Sequence, residues 1–175
     1  ATVVLSPGGE IFTNLERGVI DATEWVGPLH DNRMGFYQAA KYYYYPGWHE
    51  PGTYLEYFFN KKAYESLPKD LQAILDTACM ANELWCLAQF DARNGAALVE
   101  LITKHKVQLL KYPDSVMEAL RKLSKEVVAG EAAKDAMSKK VAAGFEAFQN
   151  QVGPWYTVSE KAYYDDIFGK YSLKG

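Results

Sequence analysis

Apolar residues in the first 60 positions fall in short runs, whereas those after residue 66 recur at helical spacing. Val3-Val4-Leu5, closed by Ser6-Pro7-Gly8-Gly9, predicts a buried strand and a turn. Ile11, Phe12 and Leu15 then predict a helix over 10–17, with Gly18 where a left-handed C-cap is needed. Residues 19–26 return as a strand, so a parallel pair within an α/β sheet is expected. That strand ends in Glu24-Trp25, and Gly27-Pro28 opens a loop. Residues 42–45 predict another strand, 46–52 a loop, 54–59 a further strand and Asn60-Lys61 a turn. The first 60 residues are therefore expected to supply at least three strands.

Ser66 is expected to cap a helix with Pro68 in its first turn. Leu71, Ile74, Leu75, Ala78, Trp85, Leu98, Leu101 and Ile102 keep the stripe going until His105. A continuous helix there would be about 57 Å long. A compact domain of this size is only about 30–35 Å across, so something beyond the chain's own core is expected to cover it. Asn94-Gly95 marks a potential kink. Residues 107–110 predict one more short strand. Ser115 and Glu118 form a capping box for a helix through Val128, closed by Gly130. A further helix is expected over 131–152, with Met137, Val141, Phe145, Phe148 and Val152 on one face and Pro154 as its stop. Ser159 is expected to cap a short helix through Phe168. Three regions result: 1–65, a β-rich α/β segment; 66–105, a long helix; and 106–175, a strand with C-terminal helices.

Composition narrows the function classes. The 175 residues are 49% hydrophobic, which argues against disorder. Nineteen basic against 22 acidic residues give a net charge of −3, with no basic cluster to attract nucleic acid. No apolar stretch approaches the roughly 20 residues of a membrane helix. The first residues lack the basic start and apolar core of a signal peptide, and there is no initiator Met. The sequence therefore reads as a processed product or a fragment. Cys79 and Cys86 are seven apart, about 10.5 Å along a helix, too far for a disulfide and consistent with small buried hydrophobes.

Candidate chemistry centres on Glu24 and Glu50, each beside Trp, Pro or Gly at an expected strand end. Two such carboxylates suit a glycosidase-like acid and base, or hard oxygen ligands for Ca²⁺ or Na⁺, or are ordinary loop acids. Nine aromatics in positions 42–59 suit either a strand pair packed on both faces or the wall of a ligand cleft. His49 is a weak catalytic candidate, and His105 suits a helix end. No phosphate loop, zinc pattern or nucleophile elbow is present. On residues alone, three readings stay open: a binding receptor, a carboxylate-pair enzyme acting on a sugar, and a helical dimerisation module.

The stretch from Glu10 through Arg17-Gly18-Val19-Ile20-Asp21 to Glu24 resembles a segment of the DctP-type solute-binding proteins of TRAP (tripartite ATP-independent periplasmic) transporters. Glu24-Trp25-Val26-Gly27-Pro28 and Tyr45-Pro46-Gly47-Trp48-His49-Glu50-Pro51-Gly52 are similar to the subgroup that binds 2-oxo and 2-hydroxy monocarboxylates. Residues 59–68 resemble the family segment before its long helix. The resemblance implies part of a two-lobed periplasmic-binding-protein-like α/β fold with one long helix spanning both lobes. It implies a periplasmic receptor, not an enzyme, that works with the membrane subunits of a TRAP system. It also implies a Na⁺ or Ca²⁺ cation bridging protein and substrate carboxylate. The matching cation ligands are the Glu24 side chain, the Trp25 carbonyl and the Glu50 side chain, with Glu24 and Trp25 beside the substrate. Family members are about twice this length. The Arg and Gln that complete their site lie upstream, and neither Arg17 nor Arg33 stands at the Arg position. The chain is therefore expected to hold half a site, with a homodimer through the C-terminal helices as a further expectation.

Overall fold

The computed structural model describes residues 2–50, 52 and 55–168. The chain divides into two compact units, one ending at Lys111 and the other beginning at Tyr112.

In the first unit, a 3₁₀ turn at Gly8–Glu10 leads into α1, Ile11–Glu16. Ile11 and Leu15, one helical turn apart, bury against Phe36, and Phe12, Ile20, Met34 and Ala39 pack around them. Gly18, at φ 68°, ends the helix. It lets the Val19 N–H reach back to the Asn14 carbonyl at 2.8 Å, the bond of a left-handed C-cap. Helix α2, Pro28–Met34, starts with Pro at its first position and ends at Gly35, φ 74°. A 3₁₀ turn at Phe36–Gln38 precedes β1, Tyr42–Tyr45. Asn60 caps α3, Lys61–Glu65, by accepting the Ala63 N–H at 3.1 Å.

Helix α4, Lys69–Thr103, is continuous over 35 residues, about 52 Å. Its N-cap is Pro68 rather than Ser66, which instead closes α3. Gln72 is buried at its start, donating to the Leu67 carbonyl at 2.8 Å and accepting from Lys69. Asn94-Gly95 does not interrupt it. Lys106 takes a left-handed φ of 58°, which turns the chain from α4 into β2, Gln108–Lys111. There β2 pairs with β1 in parallel, Tyr43 opposite Leu109. Ala97, Leu101 and Val107 are buried near this end. Along the rest of α4, Ile74, Leu84 and Trp85 stay exposed, Leu84 by 72%.

The second unit is a helical hairpin. Helix α5, Asp114–Ala132, continues past Gly130, since one glycine costs a helix interior only about 1 kcal/mol. Its N-cap is Pro113, so Ser115 sits inside the first turn and not at the cap. Helix α6, Ala136–Tyr156, starts where Asp135 accepts the Ser138 N–H at 2.8 Å, later than residue 131. Pro154 lies within its last turn and does not end it. Two π-helical turns follow, Thr157–Lys161 and Tyr164–Phe168. Ser159 bonds back to the Trp155 carbonyl at 2.7 Å instead of capping a new helix. Met137, Val141, Phe145 and Phe148 form an exposed apolar face.

The strands expected at 3–5 and 19–26 do not form, and neither does one at 55–59; Tyr54 lies outside the described residues. Among the described residues, β1 is therefore the one strand before residue 60, not three. A strand needs a partner for its backbone groups, and in the described residues only β1 and β2 pair. Val3 and Leu5 are 95% and 99% exposed, so the apolar run is present without anything packed on it. Cys79 and Cys86 are free thiols, both half-buried on α4. Among the described residues, no helix is long and apolar enough to cross a membrane.

Candidate functional site

The segment 19–27 between α1 and α2 is irregular, with bends at residues 19, 21 and 26 and no ladder partner among the described residues. It is held from both ends. Next to Trp25, Gly8 carries the close approach: a Cβ there would stand 2.8 Å from the indole Cη2. Beyond it, Gly27 adopts φ 154° and ψ 178°, a conformation that strains any residue with a side chain. Asn94, from the middle of α4, accepts the Leu29 N–H at 3.0 Å. This supplies the N-terminal cap that Gly27 has no side chain to provide. The His30 ring lies 5.0 Å from Phe90 on the same helix, and Asn32 donates to Glu100 at 3.0 Å.

Asp31 is the buried acid of this region. It accepts the Gly27 N–H at 3.3 Å and the Tyr43 hydroxyl. Burial raises its pKa above the usual carboxylate value, and the hydroxyl and amide donors oppose that rise. Tyr43 is raised far above an ordinary phenol by its own burial and by the carboxylate it serves. It therefore remains a hydrogen-bond donor at neutral pH.

Glu24 is exposed, and its carboxylate lies 3.5 Å from His49 Nε2. This contact brings the loop after β1 against Glu24-Trp25, beyond the carboxyl end of a parallel strand, where open α/β sheets bind ligands. Glu50 follows His49 directly and is exposed. Among the described residues, no group of three or more His, Cys, Asp or Glu side chains is gathered to hold a metal ion. Further along the aromatic-rich segment, an open groove of about 340 Å³ separates Leu55, Tyr57 and Phe59 from Asp76, Met80 and Glu83 of α4. Tyr57 is bonded by Asn82, and Tyr64 donates to Asp76 at 2.9 Å.

Sequence reasoning missed Asp31, Tyr43 and Asn94. The available signal was Gly27-Pro28: a helix opening on a glycine lacks its own cap and must take one from elsewhere.

With its parallel strand pair and one long helix, the chain matches part of a periplasmic-binding-protein-like α/β fold. Residues 1–135 match the DctP family, bacterial extracellular solute-binding protein family 7, and the chain belongs to that family. It is 43% identical over 161 residues to a monocarboxylate 2-oxoacid-binding periplasmic protein of Nostoc sp., covering 92% of this chain and 44% of that protein. Among solved structures, it resembles a TRAP periplasmic solute-binding protein from Colwellia psychrerythraea with bound calcium and pyruvate. There the TM-score is 0.90 at 42% identity, over 95% of this chain and 51% of that one. A Pseudoalteromonas atlantica counterpart with bound sodium and pyruvate gives a TM-score of 0.88 at 40% identity, over 94% and 50%. A Bordetella bronchiseptica counterpart, a mixed-occupancy dimer with calcium and picolinate, gives 0.84 at 35%, over 94% and 48%. The chain thus spans about half the length of the relatives it matches.

Proposed function

We propose that this chain carries one part of a receptor for a small 2-oxo or 2-hydroxy monocarboxylate, bound through a bridging Na⁺ or Ca²⁺. The observation that carries the reading is the approach of the 46–50 loop to Glu24-Trp25, in a chain whose relatives hold pyruvate together with such a cation. The donor chemistry fits. The Glu24 and Glu50 carboxylates and the Trp25 carbonyl are hard oxygen donors, the kind that Ca²⁺ and Na⁺ accept. When bound, the cation offsets the charge of a substrate carboxylate that would be very costly to desolvate alone. Glu24, Trp25 and Glu50 would hold the cation, and Glu24 and Trp25 would also lie beside the substrate. The remaining ligands, including a guanidinium for the carboxylate, would come from the other half that relatives possess. The protein would act in the periplasm, delivering its ligand to the membrane subunits of a TRAP system without chemical change. The exposed Phe145 and Phe148 face of α6 is compatible with dimerisation through the C-terminal helices.

Titration calorimetry of the intact polypeptide that carries these residues tests the reading. Pyruvate or lactate should bind 1:1 with Ca²⁺ or Na⁺ present and much more weakly after chelation or removal of Na⁺. Turnover of a carboxylate or a sugar would favour the carboxylate-pair enzyme instead.

A further inference from the structure

We propose that Tyr43 is a positioning residue for the Glu50 half of the cation site: its hydroxyl, bonded to Asp31, holds β1 and the loop that follows it against the segment carrying Glu24. This rests on the functional reading above and extends it to a side chain assigned no contact with cation or substrate.

The two segments that supply the cation's oxygen donors are anchored differently. Glu24 and Trp25 lie just ahead of α2, and α2 is fixed to the long helix α4 by the Asn94–Leu29 and Asn32–Glu100 bonds. Glu50 lies in the loop after β1. Among the described residues β1 pairs only with β2, so one edge of the strand has no ladder to hold it. Of its four tyrosines, Tyr42, Tyr44 and Tyr45 are exposed and Tyr43 alone is half-buried. The Tyr43 hydroxyl donates to one oxygen of the buried Asp31 on α2, and the other oxygen takes the Gly27 N–H at 3.3 Å. The same carboxylate therefore grips both β1 and the chain just after Glu24-Trp25. On the solvent side, the Glu24–His49 contact at 3.5 Å joins the same two segments, but both side chains are exposed and such a pair contributes little. A hydrogen bond to a buried carboxylate is stronger, and breaking it leaves an acceptor unpaired away from water. Drawing two carboxylates onto one cation works against their mutual repulsion. A loop already braced through Tyr43 brings Glu50 to the ion without first having to be ordered.

The test uses the intact polypeptide with Tb³⁺ as the probe, a hard cation excited through a nearby indole such as Trp25. Y43F keeps the ring and removes the hydroxyl. It should weaken Tb³⁺ binding at least about fivefold in the parent and less than about twofold in an E50Q background, because a residue that acts by placing Glu50 then has nothing left to place. D31N keeps an acceptor for the hydroxyl and should retain most of the affinity. D31A breaks the same bond from the other side and serves if Y43F does not fold; its cost too should shrink in the E50Q background. A merely stabilising Tyr43 would lower the melting temperature and weaken binding equally in both backgrounds. That equal loss, or parent affinity in Y43F, overturns the proposal. If parent, E24Q and E50Q bind Tb³⁺ alike, the functional reading itself is wrong and this inference falls with it.

Discussion

Asn94→Ala tests how the long helix shapes the site. Asn94 accepts the Leu29 N–H at 3.0 Å across 65 residues of sequence, and the bond is partly shielded from water. Removing a capping acceptor costs about 1 kcal/mol. A donor left partly buried adds to that, up to about 1–3 kcal/mol if water cannot reach it. Two effects limit the loss. The site is only half-buried, so water can replace the amide in part. Alanine also gains about 0.6 kcal/mol of helix propensity over asparagine within α4. The expected net loss is about 0.5–1.5 kcal/mol. At about 2–4 °C per kcal/mol for a chain of this size, the melting temperature should fall by about 1–6 °C. Arg93→Ala, one position earlier at an exposed site, provides the control and should stay within about 0.5 kcal/mol of the parent. Urea unfolding followed by far-ultraviolet circular dichroism measures both. If Asn94→Ala is as stable as Arg93→Ala, the bond does not anchor α2 and the reasoning fails.

Gly27→Ala should cost about 1–3 kcal/mol through backbone strain alone, because a Cβ would meet nothing nearer than 3.7 Å; chemical denaturation reads this directly. Glu24→Gln and Glu50→Gln should each weaken cation-dependent pyruvate binding by about tenfold to a hundredfold while leaving the circular dichroism spectrum intact, as expected for loss of a charged contact at an exposed acid. Glu100 is held below the usual carboxylate range by the Lys104 ammonium, with Asn32 and His105 assisting. Its folded-state pKa is depressed, so its stabilising contribution is present above the unfolded-state pKa and is lost as pH falls through the folded one. The stability gap between parent and Glu100→Gln should therefore narrow on acidification, in denaturation curves taken at successive pH values.

The legible parts of the fold were those with local causes. The α4 stripe, the Gly18 C-cap and the 42–45 and 107–110 strand runs carry their signals within a few residues. Boundaries shifted where a neighbour supplied the chemistry: Asp135 outcompeted position 131 as a cap, and Asn60 capped a helix where a turn was expected. The runs at 3–5 and 19–26 have strand-like composition, but a strand is a property of two segments, and neither run pairs with another among the described residues. The Glu24 and His49-Glu50 segments stood out in sequence through their Trp, Pro and Gly company, and the structure brings Glu24 against His49. What sequence could not reveal was the layer beneath. Asp31, Tyr43 and Asn94 act through contacts 12 to 65 residues apart, and no spacing rule links a mid-helix asparagine to a helix start elsewhere.

The most direct test is the position of the cation itself. Crystals of the intact polypeptide grown with Ca²⁺ and pyruvate should give an anomalous peak about 2.3–2.6 Å from the Glu24 and Glu50 carboxylates and the Trp25 carbonyl, with the pyruvate carboxylate on the same ion. A cation bound elsewhere, or Glu24 and Glu50 on opposite faces of the fold with pyruvate held by neither, would contradict the account.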